Sequence, residues 1–184
     1  MGVRTVAIAE HQLSASALDK ARVECDHLMT DLGIEGSWEW ALDQECSSPI
    51  NQLDYYGYAT MYLPREFSLD INSRTLAIGH VTQWQVFLTD SDCQEHLRRK
   101  FRRFHPIFKC GRMVYVPDTQ FCPSLAAELV RGRNALSLSE IEDSLRKECG
   151  LPAKSLSSIY QLQSDGCWTG NGYYVDDFAD LVEE

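Results

Sequence analysis

Four side chains able to ligate a metal stand close together in the middle of the chain: Cys93 and His96, then His105 and Cys110. Thiolate and imidazole make a zinc site when the backbone can close a tetrahedron of bonds about 2.0–2.3 Å long. A continuous helix over 92–104 would separate the two histidines by about 13 Å along its axis, too far for one ion. The reading is therefore no metal and no cofactor. The other cysteines, at 25, 46, 122, 149 and 167, complete a total of seven and include no C-x-x-C pair. An odd number without a secretory leader reads as reduced thiols in a cytoplasmic protein, used as small apolar side chains.

The second group is basic. Residues 97–112 carry seven basic side chains and no acid. On a helix, Cys93, Leu97, Phe101 and Phe104 share one face, which leaves Arg98, Arg99, Arg102 and Arg103 across the others. Guanidinium forks match carboxylates and phosphates, so these four arginines are the candidates for an anionic ligand or an acidic partner. The plainer reading is a solvated face paired with the protein's own carboxylates. The whole chain has 27 acidic and 17 basic residues, a net charge of −10. Without the basic segment the remainder stands at −17, with 10 basic against 27 acidic residues. Such a balance excludes a protein that coats nucleic acid indiscriminately, while leaving room for a local anion site or for self-association of patch against acidic surface.

A third group is aromatic: Tyr56, Tyr58 and Tyr62, with His80 and Trp84 on a neighbouring predicted strand. Aromatic residues are enriched in interfaces and ligand pockets, and His80 would be the proton carrier of a pocket opening there. The competing reading is the covering of a half-buried sheet with a hydrogen-bonded core histidine.

A fourth lies near the C-terminus. Ser137 and Glu140 make a capping box, Leu138, Ile141, Leu145 and Cys149 line one helix face, and Gly150-Leu151-Pro152 turns the chain. A second helix is predicted over 153–162, then a hairpin near 168–174 with a Gly/Asn turn. This order over 137–175 resembles a winged helix-turn-helix in its spacing, which would give Lys154, Ser155, Ser157 and Ser158 to DNA. Arg146 stands where the two helices would pack against a small residue. Residues 123–184 carry 11 acids and five bases, a poor charge for reading a groove. DNA is thus possible as a partner but disfavoured.

The elements that must position these groups follow from periodicity. Val3–Ala9 suits a strand, and Leu18, Ala21, Cys25, Leu28 and Leu32 recur at helical spacing behind Ser14. Trp38, Trp40 and Leu42 alternate, as do Ala59, Met61 and Leu63. Thr75–Leu88 reads as one long strand with an irregularity near Gly79. Ser91 with Gln94 makes a capping box for the basic helix, Pro106 bars its extension, and Ile107–Val116 reads as a strand. The expected fold is α+β: an antiparallel or mixed sheet of about 4–6 strands with helices on one face over 1–122, then a mainly helical segment over 123–184 packed on it.

No nucleophile elbow, phosphate loop, dinucleotide fingerprint or H-E-x-x-H occurs, and no run approaches the length of a membrane span. The expectation is a non-catalytic protein that binds a protein partner or small ligand, as a homo-oligomer. The alternatives are a DNA-binding regulator using 137–175, and a small-molecule binder or enzyme with a pocket near His80 and Trp84.

Overall fold

The computed structural model describes residues 3–32, 39–42, 59–62, 67–71, 74–118, 136–162, 168–169 and 172–178. Its centre is a seven-stranded sheet in the order β2-β3-β4-β5-β1-β6-β9, in which every neighbouring pair is antiparallel. The strands are β1 (Arg4–Glu10), β2 (Glu39–Leu42), β3 (Ala59–Tyr62), β4 (Phe67–Ile71), β5 (Thr75–Gln83), β6 (Arg112–Asp118) and β9 (Tyr174–Asp177). Strands β7 (Gln161–Leu162) and β8 (Trp168–Thr169) pair separately. The α+β class expected from the sequence holds, with more strands than expected. Strand β4 was not among the expected strands, although Phe67, Leu69 and Ile71 alternate with Ser68 and Asp70; Asp70 is nevertheless buried, between Leu69 and Ile71.

Helices cover both faces of the sheet and not one. Side chains alternate across a strand, so Ala7, Ala9, Met113 and Tyr115 face one way and Val6, Ile8, Val114 and Val116 the other. The first set packs with α1 (Ala15–Asp31), α2 (Trp84–Thr89), α3 (Ser91–Arg102) and α4 (His105–Phe108), and the second with α5 (Leu138–Cys149). Helix α1 buries Leu18, Ala21, Cys25 and Leu28 as its spacing predicts, with Met29 beside them, while Leu32, the last residue of the expected stripe, is the C-cap and only partly buried. Helix α5 keeps the predicted capping box: Ser137 Oγ accepts from the Glu140 amide, and Glu140 accepts from the Ser137 amide at 2.8 Å.

Elsewhere the local reading changes. The stretch 75–88 is not one strand: β5 ends at Gln83 and α2 begins at once. Trp84, Phe87 and Leu88 are buried while Val86 is exposed, an i, i+3, i+4 pattern that the alternation of Trp84, Val86 and Leu88 masks. Asp90, not Ser91, caps α3, its carboxylate accepting from the amides of Asp92 and Cys93 at 3.0 Å. The expected start of a strand at Ile107 is the single turn α4, with Pro106 in its first turn.

The segment after residue 123 is also different. Its described part holds one helix, a 3-10 turn at Leu156–Ile159 and three short strands, so a mainly helical segment is not what these residues form. The expected helix over 153–162 is that 3-10 turn followed by β7. The expected hairpin near 168–174 is not formed either, because β8 pairs with β7 whereas β9 joins β6 in the main sheet. Residues 119–135, which contain the expected boundary, lie outside the described residues. No described helix is long and apolar enough to cross a membrane.

The cysteines need one correction. Cys25, Cys93 and Cys110 are free thiols, but Cys149, at the end of α5, is disulfide-bonded. Cys46, Cys122 and Cys167 lie outside the described residues. The uniform reading of seven reduced thiols does not hold.

Candidate functional site

The basic helix folds onto one carboxylate. Arg98 donates from Nε to Asp176 Oδ2 and from Nη2 to Oδ1, both at 2.8 Å. Arg102 Nη2 adds a third bond to Oδ1 at 2.8 Å, and the Tyr115 hydroxyl a fourth, to Oδ2, at 3.2 Å. The Asp176 side chain is 3% exposed and each arginine side chain 30%. Burial pushes the Asp176 carboxyl up, but the bonds and charges of Arg98 and Arg102 outweigh it and hold the group below the usual carboxylate range. The same pairing pushes Arg98 up. Arg98 also lies over the Tyr174 ring at 5.6 Å and Arg102 over Phe178 at 5.5 Å, contacts that favour a cation. Of the other two candidates, Arg99 meets Glu95 at 3.3 Å and Arg103 meets Asp31 at 3.9 Å, both pairs on the surface. Exposed pairs of this kind contribute about 0–1 kcal/mol. All four candidate arginines thus face carboxylates of this chain.

The aromatic candidates divide. Tyr56 and Tyr58 lie outside the described residues, and Tyr62 is placed in β3 without a described side chain. His80 is buried on the helix-rich face, edge-on to Phe101 with ring centroids 6.3 Å apart, and its Nδ1 accepts from the Thr82 amide at 3.1 Å. Trp84, Phe87, Phe101 and Tyr115 are all fully buried beside it. These residues share a packed core.

The four C-terminal candidates sit together, though not on a helix. Ser155 Oγ accepts from the Ser158 amide at 3.3 Å, Ser158 Oγ donates to the Ser155 carbonyl at 2.7 Å, and the Ser155 and Ser157 hydroxyls are 3.2 Å apart. Lys154 is exposed just before this turn. The serines close the 3-10 turn on itself, which is what short hydroxyl side chains do at such a start.

Of the metal-competent set, His105 Nδ1 donates to the Cys110 carbonyl. Burial pushes the Cys110 thiol up to about 12 and raises Cys25 as well; Cys93 is raised by burial and by the Asp90 charge. None has the lowered pKa of an activated thiolate nucleophile. Among the described residues no group of three or more His, Cys, Asp or Glu is arranged to hold a metal ion.

An open groove of about 360 Å³ lies at one end of the sheet, lined by Glu10, Gln12, Lys109, Gly111, Arg112, Leu138 and Asp177. Strand register explains its composition. Asp177 is the partner of Arg112 across β6 and β9, and Ala9 pairs with Met113, which brings Glu10 level with Arg112 on the other side. Glu10, Arg112 and Asp177 therefore form one row across three strands, on the face that α5 covers further along. Arg112 is held from outside the row by Glu142 of α5 at 3.1 Å. Burial raises the Glu142 carboxyl, and Arg112 and Arg146 only partly offset it. The side chains of Glu10, Gln12, Lys109 and Asp177 make no hydrogen bond or ion pair with the described residues.

Lys109 occupies this rim in an uncommon backbone state. It follows α4 with φ 56° and ψ 40°, its amide donating to the His105 carbonyl at 2.7 Å. That left-handed position usually takes glycine, and a side chain there costs about 1–2 kcal/mol. Among the described residues it is the one non-glycine with positive φ.

Lys109 and Arg112 belong to the basic segment of the sequence, but none of the groove residues is among the candidate site residues read from it. Glu10, Arg112 and Asp177 are far apart in the chain, and only strand register brings them together; a lysine after a one-turn helix carries no spacing signal. No family model matches this chain, and no curated protein or solved structure matches it either.

Proposed function

We propose that this chain is a non-catalytic binding protein and that the groove between β1, β6 and β9 is its ligand site. The observation that carries this reading is the contrast in pairing. The arginines of α3 face carboxylates of their own chain, whereas Glu10, Gln12, Lys109 and Asp177 converge on an open groove without such partners. A left-handed lysine on the rim adds support, because strained backbone collects at functional sites. The volume lies at the lower end of the range of small-ligand sites, about 300–1,000 Å³.

The test is a thermal-shift panel on the full chain with acidic, basic and mixed-charge tripeptides at millimolar concentration. A ligand that binds only the folded state raises the melting temperature with its concentration. The expected result is saturable stabilisation by at least one charge class, reduced in the double variant Lys109→Ala, Asp177→Ala. Stabilisation that survives both substitutions, or none from any probe, would count against the groove.

A further inference from the structure

We propose that the groove takes an extended basic segment of a protein partner, two of whose cationic side chains sit on Glu10 and Asp177. This rests on the groove being the ligand site and adds the chemistry of the occupant. The row Glu10, Arg112, Asp177 spans three neighbouring strands. At about 4.8 Å per strand the two carboxylate-bearing backbones stand about 10 Å apart. Same-face side chains of an extended peptide are about 7 Å apart, and the long stems of lysine and arginine splay to cover the difference.

The middle of the row does not neutralise its ends. Arg112 is drawn towards Glu142 at 3.1 Å, so with Lys109 on the rim the groove and Glu142 together carry three carboxylates to two cations. Lys109 and Gln12 are donors on the rim, suited to the backbone carbonyls that an extended segment presents on alternate sides. Leu138, nearly buried at the first turn of α5, closes the groove on that side.

The charge of the whole molecule selects the same partner. At −10 the chain attracts basic proteins over a distance and repels nucleic acid and its own copies. A second copy would have to bring its exposed cations, Arg99 and Arg103 among them, against that repulsion.

The experiment is fluorescence anisotropy of the full chain with two labelled peptides, one with arginines alternating with serine and one with glutamates in the same places. The basic peptide is expected to bind, more weakly as salt is added. Glu10→Gln and Asp177→Asn are each expected to weaken it about two- to five-fold. Both residues are at least partly exposed, so the fold tolerates the changes. The pair Arg99→Gln, Arg103→Gln should leave the affinity unchanged. Preference for the acidic peptide, abolished by Lys109→Ala, would overturn the basic partner while keeping the groove. Basic-peptide binding indifferent to Glu10 and Asp177 would overturn both. Binding of neither peptide would overturn the basic partner and leave the groove to the tripeptide panel. A dimer in sedimentation that Glu10→Gln dissociates would replace the partner by a second copy.

Discussion

Adjacent residues of β9 serve opposite faces of the sheet. Asp176 points to the helix-rich face, where two arginines and a tyrosine surround it; Asp177 points to the other, where it lines an open groove. Both are aspartates on an edge of the described sheet, with a basic residue across the pair or above it. The difference is burial. At 3% exposure Asp176 is held in a low dielectric and its partners are fixed, while Asp177 remains in water and is available. A strongly basic sequence segment therefore indicates where charge is dense, and burial decides whether that charge is available to another molecule.

The sharpest way to break the comparison is to empty the closed side. Asp176→Ala leaves two partly buried guanidinium groups without their carboxylate, and breaking a buried pair costs about 3–5 kcal/mol. With the arginines 30% exposed, a loss near the lower end, about 3 kcal/mol, is expected in urea unfolding. A loss under about 1 kcal/mol, the range of exposed pairs, would place Asp176 in the same class as Asp177.

pH separates two carboxylates that oppose one another. Asp176 is held below its ordinary value, so the unfolded chain binds its proton first on acidification. Its stabilising effect is complete above the unfolded value near 3.8 and is lost as pH falls through the lower folded value. Glu142 is raised above 4.5, so the folded state binds its proton first. Between its raised value and 4.5, stability should rise as pH falls, before the Asp176 loss sets in. Urea midpoints measured from neutral to strongly acidic pH should show that rise, and Glu142→Gln should remove it while leaving the acid limb intact. An acid limb that survives Asp176→Asn would assign it elsewhere.

On the open side the expected effects are smaller, and one has the opposite sign. Lys109→Gly relieves the left-handed strain, about 1–2 kcal/mol, against the greater freedom of unfolded glycine, about 0.5–1 kcal/mol. The variant should be more stable by up to about 1.5 kcal/mol and should bind the groove ligand less well. A loss of stability would mean that the lysine side chain supports the fold. Glu10→Gln and Asp177→Asn should each change stability by no more than about 0.5 kcal/mol.

What could be read from the sequence follows from how local each signal is. The capping box at Ser137 and Glu140, most of the buried stripe of α1 and the strand near Val3–Ala9 are all settled within a few residues, and each is present as expected. Helix α2 was obscured because a residue set can match two periods at once: Trp84 and Leu88 fit alternation and also i, i+4. Asp90 was passed over as a cap because Ser91 offers a similar oxygen one position later. The Arg98 to Asp176 pair spans 78 residues and has no local signature. The row of Glu10, Arg112 and Asp177 requires the register of three strands, so the groove could not be found from spacing. Helices on both faces follow from α5 packing on Val6, Ile8, Val114 and Val116, a set visible in the strands only once their second apolar face is counted.

The doubled aspartate also poses a problem of registration during folding. Moving β9 along β6 by one residue would still deliver a carboxylate to Arg98 and Arg102, since Asp177 would take the place of Asp176. The charge cluster alone therefore cannot tell the correct pairing from its neighbour. The distinction rests on the apolar residues around the pair: Tyr173 and Val175, which pairs with Val114, pack on the α5 side, and Phe178 packs on the other; in the shifted pairing Asp176 would be driven into the α5-side layer without a counter-charge. Ordinary apolar side chains thus proofread the alignment of the last strand, and exchanging Tyr173 and Val175 together for polar residues would favour mispaired chains during refolding.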